Sequence, residues 1–391
     1  MSQPERSDYV KFRGVTKSFM TICGLWHYET TSLFYRLIPY KQIVFIVTLI
    51  MAILKFIYEN HSNLLFVVNC LNFVTGYMFT CFKVLSFILN KENLKNLQKA
   101  LDLNFDDMLE DSKISKLILN KISIFKSISL VYAISVVLTT TFYMSIPAYM
   151  ISYISYHKIN VTQYPLLYPA SYMWKRPAKG LFYQLNFSFE FATAVFINAV
   201  TVSIDTTFML YVFQMIGQLR KISYYVTNTG KKSDQSHALS TYVSQYVNLI
   251  KYKDSFEKVY GPIILILLTT NAVVLCTILF QLTHVRGFSG KSIIQGLSYL
   301  LNLILKVTQT FLYSWSGSCL TEESEKCQYA VFSANWHGNK KMMSSIVIIL
   351  SQRPLFLTAC NFTTVNVRIF VMILQTSMSY FFLLQTLDEN H

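Results

Sequence analysis

The chain has 391 residues, 53% of them hydrophobic and 14% charged, with a mean hydropathy of +0.37. That balance excludes an ordinary water-soluble enzyme of this size and points to several membrane spans. The net charge of +14 reads as cytosolic loops facing anionic lipid rather than as a nucleic-acid surface.

Ser2–Tyr40 carries charges at Glu5, Arg6, Asp8, Lys11, Arg13, Lys17, Glu29 and Arg36, so it does not read as a signal peptide. Tyr9–Tyr28 is an amphipathic helix candidate that contains Gly24-Leu25-Trp26. The first span is expected over Ile43–Tyr58, with Lys55 near its end snorkelling or lining a polar cavity. The second runs over Asn63–Leu89, its outer half carrying Asn69, Asn72, Thr75 and Tyr77. In Lys91–Lys126, Leu94, Leu97 and Leu101 recur at helical spacing, so this stretch reads as a cytosolic linker with helix extensions.

The third span is expected over Ile128–Tyr153. Pro165, Pro169 and Pro177 then rule out a single helix across His157–Gly180, which reads as a structured loop over the outer surface. The fourth span, Leu181–Met215, is long enough to project into the cytosol. Gln218–Val259 continues it as a polar helical pattern interrupted near Thr229-Gly230-Lys231-Lys232. Gly261–His284 and Ser292–Trp315 are the fifth and sixth spans, the latter with Lys306 inside it. Ser318–Ala359 reads as a cytosolic anchor segment, its apolar run Ile346–Leu350 being too short to span. Asn361–Leu387 closes the chain, uncharged for nineteen residues from Ile369.

Basic residues are concentrated before the first span and in the second-to-third and fourth-to-fifth linkers, the former with seven lysines from Lys91 to Lys126. The third-to-fourth loop, with Lys158, Lys175, Arg176 and Lys179, is the exception. The sum predicts a cytosolic N-terminus and an extracellular C-terminus. The sequon Asn160-Val161-Thr162 falls on the side this topology places outside. The expected fold is therefore all-α, a seven-transmembrane-helix membrane protein with a cytosolic helical anchor layer.

No nucleophile, metal or phosphate-binding pattern is present. The seven histidines are scattered, and the seven cysteines form no CxxC pair. The reading is thus not an enzyme, with no cofactor and no metal. Asp205 stands alone as an acid deep in the fourth span and needs a partner or water. Lys83, at the inner end of the second span, is one candidate.

Three helical faces place aromatic and single polar groups together in the outer halves of spans two to four: Asn69, Phe73 and Tyr77; Thr140, Tyr143 and Met144; Phe189, Thr193 and Ile197. Such a lining fits a small organic ligand, and it also fits ordinary helix packing. Glu190 lies in the same zone, as a pocket acid or a lipid-surface group. In the last span, Met372, Thr376, Tyr380, Leu383 and Leu387 share one face. That stripe suits a helix facing symmetry copies around an axis, or a lipid-embedded helix whose hydroxyls bond to neighbours.

The run Ser351–Gln385 resembles the C-terminal signature of insect odorant receptors, through Arg353, Thr358-Ala359-Cys360, Ser379-Tyr380-Phe381 and Leu383-Leu384. Gly24-Leu25-Trp26, Asp205-Thr206-Thr207-Phe208 followed by Gly217-Gln218-Leu219, and Cys319–Trp336 ending in Asn335-Trp336 extend the resemblance over nearly the whole chain. It implies a subunit of a ligand-gated, non-selective cation channel in the plasma membrane, of olfactory neuron dendrites. A volatile ligand would bind among spans two to six. The last helix of each of four subunits would line the pore, with Leu383 and Leu387 narrowing it and Thr386 beside them. Asp388 and Glu389 would lie at its outer mouth. Ser379-Tyr380 leading to Gln385-Thr386 departs from the ending of gustatory receptors, the alternative branch. The linker Gln218–Val259 is too short for the co-receptor, so the resemblance implies an odour-tuning subunit partnered with a co-receptor in a heterotetramer, with lipid and without nucleic acid. A G-protein-coupled receptor would require the opposite topology, and the absence of an internal repeat disfavours an inverted-repeat transporter.

Overall fold

The computed structural model describes residues 4–26, 32–61, 64–158, 164–172, 180–228, 232–285, 290–333, 340–351 and 353–389. The sequon at 160–162 and the Asn335-Trp336 pair lie outside them, as do the side chains of Asp388 and Glu389. In chain order the elements are α1 (Pro4–Ile22), α2 (Leu33–Glu59), α3 (Leu64–Leu89), α4 (Lys91–Glu110), α5 (Ser112–Ile118), α6 (Ile122–Tyr156), α7 (Leu181–Asn228), α8 (Lys232–Thr283), α9 (Gly290–Phe332), α10 (Lys340–Ser351), β1 (Thr358–Ala359), β2 (Thr363–Thr364) and α11 (Val367–Glu389).

The central element is α7. Every residue from Val202 to Arg220 is buried, so neighbouring elements surround this stretch on all sides. Its 48 residues extend for about 70 Å, well beyond a hydrocarbon core of roughly 30 Å. The outer part therefore packs among the spans and the inner part among α1, α4 and α5. At that inner end, Tyr9 packs against Phe105 with ring centroids 4.6 Å apart, and Gln214 donates to Tyr9 Oη at 3.0 Å and to Asp102 at 2.9 Å. Ion pairs from Arg13 to Asp102 and Asp106, and from Lys126 to Asp8, fasten α1 to α4 and α6.

Gly24 turns the chain from α1 toward α2 at φ +72°, where a Cβ would lie 2.8 Å from Ile38 Cβ. Glycine is needed there on both counts. Ser32 caps α2 by accepting from Tyr35 N–H. Helix α2 starts ten residues before the expected span, because Leu33–Gln42 continues the helical pattern through Pro39, and α6 starts six residues before it.

Among the described residues, six helical segments are long and apolar enough to cross a membrane: 33–59, 66–89, 122–156, 181–227, 243–283 and 367–387. Helix α9 is not among them. Asn302, Lys306, Gln309 and Thr310 lower its hydropathy, and they face the protein rather than lipid. Its place as a seventh spanning helix follows from packing. Asn271 of α8 donates to Thr310 at 2.9 Å, while Val285 packs near Gly296, so α9 runs antiparallel to α8. Helix α11 is antiparallel to α9 in turn, with Val367 N–H donating to Ser318 Oγ at 2.8 Å and Phe370 against Phe311 at 5.6 Å.

Two expected boundaries need correction. Helix α9 continues without a break from the sixth span into the anchor segment, so nothing divides them at Ser318. The last helix begins at Val367, not Asn361, because 358–364 forms a short antiparallel hairpin. Its three-residue loop, 360–362, places both Cys360 (φ +52°) and Asn361 (φ +60°) in the left-handed region, and Phe362 N–H closes the turn on the Ala359 carbonyl at 3.0 Å. Glu257 of α8 accepts from Thr358 N–H at 2.6 Å. Thr358-Ala359-Cys360 thus pins the entrance of α11 to α8, while the Val367–Ser318 bond ties it to α9.

Candidate functional site

A hollow of about 150 Å³ lies between α3, α6, α7 and α9, beneath the 164–172 segment. Each helix contributes one face: Asn72, Phe73, Gly76, Tyr77 and Thr80 from α3; Tyr132, Thr139, Thr140, Tyr143 and Met144 from α6; Ala194, Ile197, Asn198 and Thr201 from α7; Asn302, Leu305, Lys306 and Gln309 from α9. Leu167 and Tyr168 close it from the loop. Phe73 makes edge contacts with Tyr143 (5.8 Å) and Tyr168 (5.6 Å), and Tyr168 meets Tyr77 at 5.6 Å. The upper wall is therefore aromatic, with favourable edge-to-face geometry.

Among the residues picked out by helical spacing, Phe73, Tyr77, Thr140, Tyr143, Met144 and Ile197 come together around this hollow. Asn69 lies one level further out, on a wider hollow of about 660 Å³ between α6 and α9 whose wall also includes Tyr143. Phe189 and Thr193 do not belong to the group. The hollow-facing stripe of α7 is Ala194, Ile197, Asn198 and Thr201, and Phe189 is turned instead toward Phe45 of α2 at 5.2 Å. Thr193 is buried and returns its hydroxyl to the Phe189 carbonyl at 2.7 Å.

Glu190 is neither a pocket acid nor a lipid-surface group. Its carboxylate accepts from Leu167 N–H (2.8 Å), Tyr168 N–H (3.2 Å) and Tyr172 Oη (2.7 Å), with no exposed surface. It holds the loop down over the hollow. Lys55 does similar work from α2, donating to the Tyr172 carbonyl at 3.1 Å.

The floor is a buried polar cluster around Asp205. Lys83 Nζ and Tyr313 Oη reach Oδ1 at 2.5 Å each, and Tyr132 Oη (2.5 Å) and Gln309 Nε2 (2.8 Å) reach Oδ2. Lys83 and Asp205 are both fully buried. Sequence reading paired Asp205 with Lys83 but missed the other three donors. Tyr132, Gln309 and Tyr313 are unremarkable residues in apolar helices, and only the α9 spacing of Lys306, Gln309 and Tyr313 hinted at a polar face.

On α11, Ile369, Ile373, Ser377 and Phe381 are buried against the bundle, with Phe381 joining Cys276 and Phe280 of α8. The stripe of Met372, Thr376, Tyr380, Leu383 and Leu387 is turned away from it. Met372, Tyr380, Leu383 and Leu387 are each more than half exposed, and Thr386 lies exposed beside them.

This seven-helix membrane bundle, with a hollow beneath a loop and a last helix exposed along one face, has the fold of solved insect olfactory receptors. The olfactory receptor OR5 of Machilis hrabei, solved in complex with eugenol, superimposes with a TM-score of 0.75 over 97% of this chain and 100% of that one, at 16% identity. The 7tm Odorant receptor family model matches residues 63–378, and the chain belongs to that family. It is 26% identical over 171 residues to Odorant receptor 13a of Drosophila melanogaster, covering 40% of each chain. With the Odorant receptor coreceptor of Anopheles gambiae it shares 24% identity over 150 residues, 38% of this chain and 30% of the relative. The matched part thus spans less than half the length of these two curated relatives.

Proposed function

We propose that this chain is the odour-sensing subunit of a ligand-gated, non-selective cation channel in the plasma membrane. A small volatile molecule binds in the 150 Å³ hollow, and four subunits surround a pore lined by α11. The observation that carries the reading is the α11 stripe, apolar and hydroxyl-bearing, which its own chain leaves uncovered. Leucine rings at 383 and 387 close a narrow pore by excluding water, and spreading of the helices rehydrates it.

The partner subunits are co-receptor chains in a heterotetramer, a reading supported by the shared identity with a coreceptor. The inner parts of α7, α8 and α9, together with the 318–359 anchor segment, hold the subunits together while the outer bundle moves. Co-expression with an insect co-receptor tests this. An odour-evoked cation current that persists when G-protein signalling is blocked is expected. An odour response abolished by that block would replace the channel with a G-protein-coupled receptor.

A further inference from the structure

Among the described residues, Lys306 is the one charged residue lining the hollow. It sits on the same face of α9 as Asn302, Leu305 and Gln309, and its ammonium makes no hydrogen bond or ion pair among the described residues. A lysine held inside a membrane bundle without a counter-charge is costly, and such groups face water, a partner or a ligand. Asp205, which lies within electrostatic range, does not serve it. A carboxylate offers about four lone-pair sites, and Lys83, Tyr132, Tyr313 and Gln309 occupy all four. Lys83 also neutralises its charge. Glu190, the other buried acid nearby, spends its oxygens on the loop.

The neighbouring polar groups do not substitute for a counter-ion. Thr80, Thr139, Thr140 and Thr201 return their hydroxyl protons to carbonyls of their own helices, Asn302 donates its amide N–H to Tyr143 Oη at 2.6 Å, and none of these groups carries a charge to set against the ammonium. The hollow therefore presents one unspent positive donor at its lower end and an aromatic wall at its upper end. A hollow near 150 Å³ is the size that encloses a benzene-like molecule, so the ligand has roughly six to eight non-hydrogen atoms.

We propose that the hollow takes a short-chain carboxylate, with its anionic head on the Lys306 ammonium and its hydrocarbon tail among Phe73, Tyr77, Tyr143 and Tyr168. The inference rests on the channel reading above and adds the ligand class to it. An ammonium–carboxylate contact is short and charge-assisted. A neutral ester or alkane of the same length fills the aromatic end but leaves the lysine uncompensated.

The test is odour-evoked current in cells expressing the full chain with a co-receptor, using butanoate, pentanoate and hexanoate beside their methyl esters, the matching 1-alcohols and the matching alkanes. Acids are expected to act at the lowest concentrations. Lys306→Met should raise the half-maximal acid concentration by about tenfold or more and abolish the preference for acids over the matching alkanes, and Lys306→Arg should retain acid preference. Surface labelling accompanies each variant. Should Lys306→Met fail to reach the surface, the wild-type order of potency decides, and a preference for esters or alkanes over acids overturns the proposal. It is also overturned if Lys306→Met leaves acid potency unchanged. Both results leave the channel reading in place. No current to this panel or to a broad odour panel overturns the channel reading itself.

Discussion

Lys83 and Asp205 meet at 2.5 Å with neither side chain reaching solvent, joining the inner part of α3 to the middle of α7. A pair so buried is not a source of net stability over an apolar replacement, but a broken one is costly, because one charge remains unpaired. Lys83→Met and Asp205→Asn should therefore each destabilise the protein by about 3–5 kcal/mol. The double variant Lys83→Met/Asp205→Asn should recover a large part of that loss. Thermal unfolding of the detergent-solubilised receptor, followed by loss of the monodisperse peak, measures all three. If Asp205→Asn alone keeps full stability, the contact acts through hydrogen bonds and not through charge.

Phe73 and Tyr77 form one side of the aromatic wall and meet Tyr168 of the loop. Truncation of either to alanine should cost a well-fitting ligand about 1–3 kcal/mol, or roughly five- to 150-fold in half-maximal concentration. Dose–response curves over a panel of ligands, with surface expression matched, check this. Phe189→Ala serves as the control, because Phe189 faces α2, and it should shift potency far less.

Much of this arrangement was legible in the sequence. Helical spacing on spans two and three placed Phe73, Tyr77, Thr140, Tyr143 and Met144 on shared faces, since a period of 3.6 residues survives even in an apolar helix. It failed for Phe189 and Thr193, because α7 is apolar all round and its sequence does not say which side meets the hollow. Glu190 was misread for a related reason: its partners are backbone N–H groups of a loop, which leave no mark in composition. The hairpin at 358–364 was hidden inside an apparently continuous run. Its two left-handed residues, Cys360 and Asn361, are not glycines, so the usual turn signal was missing. Lys306 was visible as a charge within a span, but only the four-fold saturation of Asp205 gives it meaning.

Gly317 marks where the inner layer meets the last helix. A Cβ there would lie 2.2 Å from the carbonyl oxygen of Val365, just before α11 begins. Backbone cannot yield as a flexible side chain does, so Gly317→Ala should force α11 away from α9 and cost about 1–3 kcal/mol. Reduced surface delivery and a lower Tm are expected, together with altered resting current in the channels that do assemble. Wild-type values for all three would show that the hairpin adjusts without consequence.

Arg220 and Glu323 pair at 2.8 Å in the inner layer, and Arg220 also donates to the carbonyls of Ile118 and Asn120. Burial opposes the charge on Glu323, but the Arg220 hydrogen bond and charge, with Lys326 adding to them, hold its carboxyl below the usual carboxylate range. A carboxyl lowered by folding binds more protons in the unfolded chain. Its contribution is therefore complete at neutral pH and is lost as the pH falls through the lowered folded value. Wild-type Tm should decline between about pH 5 and 3 more steeply than that of Glu323→Gln. Parallel curves for the two proteins would remove this pair from the acid response.

The account turns on whether the uncovered face of α11 lines a conducting path. Cysteine substitution tests it most directly. Tyr380→Cys, Leu383→Cys and Leu387→Cys, each expressed with a co-receptor, are exposed to a positively charged, membrane-impermeant thiol reagent with and without odour. Ile373→Cys and Phe381→Cys, on the face buried against the bundle, serve as controls, and the unsubstituted chain sets the background. The account predicts an irreversible change in current at 380, 383 and 387, faster in the presence of odour, and none at 373 or 381. Odour currents that remain unaltered by the reagent at all three stripe positions, in channels that reach the surface, would contradict it.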